Sequence, residues 1–569
     1  MVTRSSMNAS AVLGLPLLSL FCLLLTDSSA PADVLPHGGE TCAPRMWELE
    51  ARPQMRLQSV HSPADATGYD VSKYTIRYDV SFTNRTIRGD VTIDATSRKD
   101  ALRTIDLDFH GFTIGSVTVD GKAAAYQRVS DGYLLRVRLG KSVARARTFS
   151  VRVRYSGSPG TSRDGLGFGF TSRGAATFAE PDGAREWFPC KDRPSDKAEY
   201  EGFITVPSTM IVASNGALAG TTVSGNATTY NWKETHPIAT YLISLAIANY
   251  RIIEDSLGAL PLRHYAYPDL EAAARQDFSR TPAMIDAFQT KLGVPFPFDK
   301  YGHALFDNFG GAMEHQSCTS YGTGLITGDN SLDVVVAHEL GHQWFGDFVS
   351  PANWKEIWLN EGFATWTEFL WIESAAPGSL RRYMALAEER YISYEARVGR
   401  YPLYAPPWQY LFGTTIYEKG GWVVSMLRYL LGDEAFFRGL NDYLEAHAYR
   451  NVKTTDLRTV LEAASGRDLS AFFDQWVYGV GYPTYAVSWN SAAVTGGYDV
   501  AVRIRQTQTG TPVFTIPLEV EARATGSTPD RRRVDITSAD TTIHLTFAFQ
   551  PSSVVIDPDN KVLGIVSGQ

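Results

Sequence analysis

His338-Glu339-Leu340-Gly341-His342 places two imidazoles four residues apart within a helical pattern. At that spacing both rings leave one face of the helix, so both reach a single ion, with a carboxylate beside them. Glu361 follows His342 after 18 intervening residues, within Trp358-Leu359-Asn360-Glu361-Gly362-Phe363-Ala364. A hydrolytic zinc takes three protein ligands and leaves a fourth position open. His338, His342 and Glu361 are therefore the expected ligands of one Zn2+ per chain. Glu339 is the expected general base, acting on a water that the metal acidifies.

The residues around this centre resemble the gluzincin zinc aminopeptidases, peptidase family M1, which include aminopeptidase N and the leukotriene A hydrolases. The resemblance is carried by His338 to Asp347 (His-Glu-Leu-Gly-His-Gln-Trp-Phe-Gly-Asp) and by the Trp-Leu-Asn-Glu-Gly-Phe-Ala stretch. It extends to Phe309-Gly310-Gly311-Ala312-Met313-Glu314-His315, similar to the family's Gly-x-Met-Glu-Asn motif, and to Glu180-Pro181-Asp182-Gly183-Ala184-Arg185 and Trp187-Phe188-Pro189-Cys190 upstream. It covers roughly residues 68 to 483, in order.

The resemblance implies that Glu314 binds the α-ammonium of a peptide, with Glu180 as a second carboxylate from the β-rich region. Gly311, Ala312, Met313 and His315 join them as substrate-binding positions. It also implies that Tyr417, in Ile416-Tyr417-Glu418-Lys419-Gly420-Gly421, donates a hydrogen bond to the developing oxyanion. A phenol suits that task, being neutral at working pH and a good donor. His315 departs from the family's Asn; packing beside the cleft is the reading adopted, with a third metal-like histidine as the alternative. The implied activity is removal of the N-terminal residue from peptides.

Three other readings compete with this one. Epoxide hydrolysis of the leukotriene A type relies on an Asp and a second Tyr, but Gln409 and Phe412 stand at those positions. A non-catalytic scaffold would have lost the zinc ligands, and all three are present. An endopeptidase would lack the amine-binding carboxylates.

The elements that must position these residues change regime along the chain. From Tyr69 the pattern alternates as strands, with Asp120-Gly121 and Asp131-Gly132 as hairpin signals. Helical spacing dominates from about residue 269: a helix over 270–292, another over 333–345 with Ser331 as cap, one beginning near Asn360, and others over 416–431, 434–447 and 455–464. Strands return after Gly481-Tyr482-Pro483. The expected fold is α+β and multidomain. An N-terminal β-sandwich-like domain (68–252) precedes a thermolysin-like, mainly helical zinc catalytic domain (253–482) and a small C-terminal β domain (483–569).

Residues 1–30 read as a signal peptide: Arg4, an apolar run from Ala11 to Leu25, and small residues before a cut at Ala30. Residues 31–67 read as a leader or linker, and export to the periplasm or exterior is expected. No later segment is apolar enough to span a membrane, so no stable span is expected once the signal is cleaved. Cys42, Cys190 and Cys318 remain after cleavage, an odd number that allows at most one disulfide. The net charge of −8 and 20% charged residues point away from nucleic acid as a partner and leave peptides with a free N-terminus.

Overall fold

The computed structural model describes residues 68–160 and 166–568. The expected signal peptide, the leader and Cys42 lie outside the described residues. The α+β arrangement expected from the sequence is the one found: β-rich, then mainly helical, then β-rich.

The first part is built on an eight-stranded sheet. Tyr69–Ser81 pairs antiparallel with Thr86–Ser97 on one side and parallel with Lys197–Pro207 on the other. The alternation read in the sequence is the burial pattern of these strands: Tyr74, Ile76, Tyr78, Val91 and Ile93 point into the core. Asp120 and Gly121 form the two-residue turn that closes Val119 onto Lys122, both at positive φ (49° and 76°). Asp131-Gly132 lies in the loop joining Tyr126–Val129 to Leu134–Val143. A smaller four-stranded sheet contains Gly174–Phe178, which leads directly to Glu180.

A five-stranded sheet, from Arg251–Leu257 to Thr319–Gly322, ends on the short edge strand Ala312–Met313. Helices follow: α1 (Glu271–Asp277), α2 (Thr281–Leu292), α3 (Asp333–Gly341), α4 (Trp358–Ala375), α5 (Leu380–Val398), α6 (Gly420–Leu431), α7 (Asp433–Ala446), α8 (Thr454–Ser465) and α9 (Ser470–Trp476). Three of these correct the sequence reading. The single helix expected over 270–292 is two, because Pro282 has no N–H and fits only the first turn of a new helix. The helix expected to reach Phe345 ends at Gly341; its last residues tighten into i→i−3 bonds, such as Gln343 N to Leu340 O at 3.0 Å. Ser331 does not cap it, since the Ser331 hydroxyl donates to Thr327 Oγ1 instead. Gly466 ends α8 in the left-handed conformation, as its position suggested.

The C-terminal strands form a four-stranded and a three-stranded sheet around Val500, Val502, Leu518 and Val520. They are tied to α5 through Glu388, which accepts from the Gly564 amide (2.8 Å) and from Asn560 (3.1 Å). Cys190 and Cys318 are buried free thiols. Among the described residues no helix is long and apolar enough to cross a membrane.

Candidate active site

Two glycine contacts set the site's geometry. α3 crosses α4 at Gly341, where any Cβ would collide with Thr367. α4 in turn meets the start of α6 backbone to backbone: a Cβ on Gly362 or Gly420 would come within 3.0 or 2.7 Å of the other's Cα. The first contact brings His338 and His342 to Glu361. The second brings Tyr417 in, because it sits three residues before Gly420 in a π-helical turn, Thr415–Lys419.

His338, His342 and Glu361 offer ligand atoms that all lie within 4.8 Å of one another, and all three are buried. Glu361 Oε2 is 3.3 Å from Nε2 of His338 and 3.3 Å from Nε2 of His342. A direct ion pair would sit closer, near 2.7–2.9 Å. Tetrahedral zinc with bonds of about 2.0–2.1 Å separates its ligands by about 3.3–3.4 Å. The spacing and the donor set thus fit zinc. Both imidazoles are oriented from behind: His338 Nδ1 donates to Glu368 (2.8 Å), and His342 Nδ1 donates to Asn360 Oδ1 (3.0 Å) and the Phe345 carbonyl (3.2 Å). That favours the tautomer in which each Nε2 presents its lone pair toward a metal. Burial opposes charge on Glu361, but His342 and His338 draw it down to about 2, so it is a carboxylate at any working pH.

Glu339 is buried one residue after His338, and its Oε2 has no hydrogen-bond partner. Burial pushes its carboxyl up to about 8, against the pull of both histidines. The Tyr417 ring lies 5.8 Å from the His338 ring and nearly parallel to it. Burial, then the nearby Glu361 and Glu180, hold its phenol well above the ordinary range, so it stays a donor.

A second group shares Glu361. Glu180, Glu314 and Glu361 bring carboxylate oxygens within 4.8 Å of one another. Glu314 accepts from Asn360 Nδ2 (3.1 Å), and its backbone carbonyl accepts from Gln343 (2.8 Å). Glu180 Oε1 is buried with no partner. Burial and then the Glu314 charge push Glu180 well above the usual carboxylate range. Three acids crowded together in this way either keep a proton among them or hold a cation between them. The loop bearing Glu180 is held by the buried Arg185 guanidinium, 2.8 Å from Asp192, and by Tyr78 and Tyr155 donating to the Trp187 carbonyl.

Ala312 and Met313 form the edge strand opposite Tyr321 and Ser320, and the Gly311 carbonyl accepts from the Gly322 amide (2.8 Å). His315 stays out of the metal group. It is fully buried, its Nδ1 is 3.0 Å from Ser320 Oγ, and burial pushes its imidazole down to about 3. The packing reading is the one the geometry supports. Gln409 and Phe412 lie in the segment preceding the π-helical turn.

Three residues that sequence reasoning did not single out complete the site. Asn360 bridges His342 and Glu314 through one amide, Glu368 orients His338, and Tyr383 of α5 donates to Glu368 at 2.5 Å. Glu368 carried a legible signal, lying seven residues after Glu361 on the same face of a helix rich in Trp, Phe, Leu and Ile.

Residues 70–242 match the peptidase M1 N-terminal domain and residues 277–476 the peptidase family M1 domain. Aminopeptidase 2 of Candida albicans is 26% identical over 439 residues, 73% of this chain and 47% of that protein. Aminopeptidase M1 of Arabidopsis thaliana is 31% identical over 332 residues, 54% of this chain and 37% of that protein. The chain thus spans half or less of the length of these curated relatives. The crystal structure of an M1 zinc metallopeptidase from Deinococcus radiodurans is 27% identical, with a TM-score of 0.65 over 72% of this chain and 94% of that one. A mutant of that enzyme has been solved bound to a Tyr-Ser-Ala substrate.

Proposed function

The chain belongs to peptidase family M1, and from that premise we propose that it is a zinc-dependent aminopeptidase releasing the N-terminal residue of peptides. The observation that carries this reading is the carboxylate group of Glu180, Glu314 and Glu361 set directly against the His338, His342 and Glu361 group. The shared Glu361 puts an ammonium-binding site one residue's length from the hydrolytic centre. A peptide amine held there offers its first peptide bond for cleavage.

Zinc held by His338, His342 and Glu361 would supply Lewis acidity at the scissile carbonyl and acidify a water. The remaining steps belong to side chains. Glu339 takes a proton from the attacking water on its unpartnered Oε2 and hands it to the departing amine nitrogen. Tyr417 donates to the oxygen on which negative charge builds. Glu314 and Glu180 hold the α-ammonium, and Asn360 keeps Glu314 in place. The edge strand at Ala312–Met313 can pair with an extended substrate backbone.

The test is a cycle of two peptides and two enzymes. A peptide with a free N-terminus should be cut at least about 30-fold faster in kcat/KM than its N-acetyl twin, since losing one partner of a buried charge pair costs about 2–5 kcal/mol. Glu314→Ala should lose as much on the free peptide and little more on the acetylated one. Equal cleavage of the acetylated peptide by the wild-type enzyme would make an endopeptidase the better reading.

A further inference from the structure

Phe178 and Glu180 are both half-buried, whereas Thr177 and Ala179 on either side of Phe178 are fully buried. At the extended end of a strand this alternation turns Phe178 to the same open side as Glu180. Phe178 stacks on Phe309, also half-buried, with ring centroids 3.9 Å apart and planes 24° apart. Behind them Phe306 is buried, with its ring 5.4 Å from that of Phe178. On the other flank the ring of His315, the residue after Glu314, is 6.1 Å from Phe178. One aromatic wall therefore lies two residues from Glu180 in sequence and touches the residue that follows Glu314.

On the aminopeptidase reading, we infer that Phe178 and Phe309 form the wall against which the first side chain of the substrate rests, and that the enzyme prefers large apolar or aromatic N-terminal residues. The α-carbon bearing that side chain is bonded directly to the ammonium, so the side chain leaves within one bond of the Glu180–Glu314 group. A ring or a branched alkyl chain there buries apolar surface on Phe178 and Phe309, and a methyl group reaches little of it. Asp307, next after Phe306, already accepts two hydrogen bonds from Arg173 (2.6 and 2.5 Å), so it does not recruit a basic side chain. An acidic side chain would be repelled by Glu180 and Glu314 and would enter an apolar wall.

The experiment is kcat/KM for Phe-, Leu-, Ala-, Lys- and Glu-2-naphthylamide with the zinc-loaded full chain, followed by Phe178→Ala, Phe178→Leu and Phe309→Ala. The expected wild-type result is Phe and Leu at least about 30-fold above Ala, with Lys and Glu lower still, within the range that apolar pockets discriminate. The Phe/Ala ratio should fall at least about ten-fold in Phe178→Ala and Phe309→Ala, and less in Phe178→Leu. An Ala substrate cut as fast as Phe by the wild-type enzyme overturns the inference, even if the variants do not fold. So do folded variants whose Phe/Ala ratio matches the wild type. Failure to cleave any of the five substrates overturns the aminopeptidase reading itself, which distinguishes the two.

Discussion

Replacing Asn360 by Leu removes one amide of similar size and adds no charge, yet it breaks two contacts. The Asn360 oxygen accepts from His342 Nδ1 at 3.0 Å, and its nitrogen donates to Glu314 at 3.1 Å. Lost partners behind a metal-binding histidine weaken metal affinity by about 10–100-fold. His342 keeps the Phe345 carbonyl at 3.2 Å, so the loss belongs at the lower end, about ten-fold or 1.4 kcal/mol. His338 leans on a carboxylate, Glu368, at 2.8 Å, and a charge-assisted bond is about twice as strong. Glu368→Leu should therefore move zinc affinity toward the 100-fold end. Competition with chelators of known affinity measures both without recourse to activity. The second broken contact has a separate readout. Glu314 loses a donor worth about 1.5–3 kcal/mol, so KM for a free-amine peptide should rise about ten-fold or more in zinc-saturated Asn360→Leu. Zinc affinity within two-fold of wild type in folded Asn360→Leu would refute the claim that this amide holds His342. An unchanged KM would refute its hold on Glu314.

Two further outcomes are expected. Tyr417→Phe should lower kcat by about 10²–10³ with little change in KM, because its donor is needed chiefly in the transition state; a normal kcat in stopped assays would send the oxyanion role elsewhere. Stability should fall in acid through the stacked pair His264 and His303, whose Nδ1 atoms are 2.8 Å apart. Burial pushes His264 down to about 3 and His303 well below its ordinary value. An unfolded chain takes up these protons near pH 6.5 and the native protein does not, so their contribution is full above 6.5 and is lost as pH falls toward 3. Each imidazole adds about 1.4 kcal/mol per pH unit in that window, and His264→Gln should flatten the pH dependence of urea unfolding by about that slope.

What was legible in the sequence and what was not divide along physical lines. The ligand set could be read because helix periodicity alone puts His338 and His342 on one face, and a short connection returns Glu361 to them. The strands could be read because a one-sided core imposes alternation, as at Tyr74, Ile76 and Tyr78. Helix ends were read less well. The break at residues 278–280 and the early end of α3 depend on Pro282 and on the tightened turn after Gly341, which are local effects inside a pattern that otherwise continues.

The supporting residues were hidden for a different reason. Asn360 matters because His342, 18 residues upstream, and Glu314, 46 residues upstream, both fold back against its one amide. Tyr383 matters only because α5 packs beside α4 and delivers a hydroxyl to Glu368. Neither residue type nor spacing encodes such a meeting; the tertiary fold does. Gly341, Gly362 and Gly420 look like ordinary helix-weakening residues in the sequence. In the structure they are the points at which α3, α4 and the turn bearing Tyr417 approach closely enough to share one site. The same holds for Phe178 and Phe309, two among 28 phenylalanines, whose stacking joins the segments that bear Glu180 and Glu314. The bond-making groups are thus specified locally, and the substrate they accept is specified by contacts that exist only once the chain has folded.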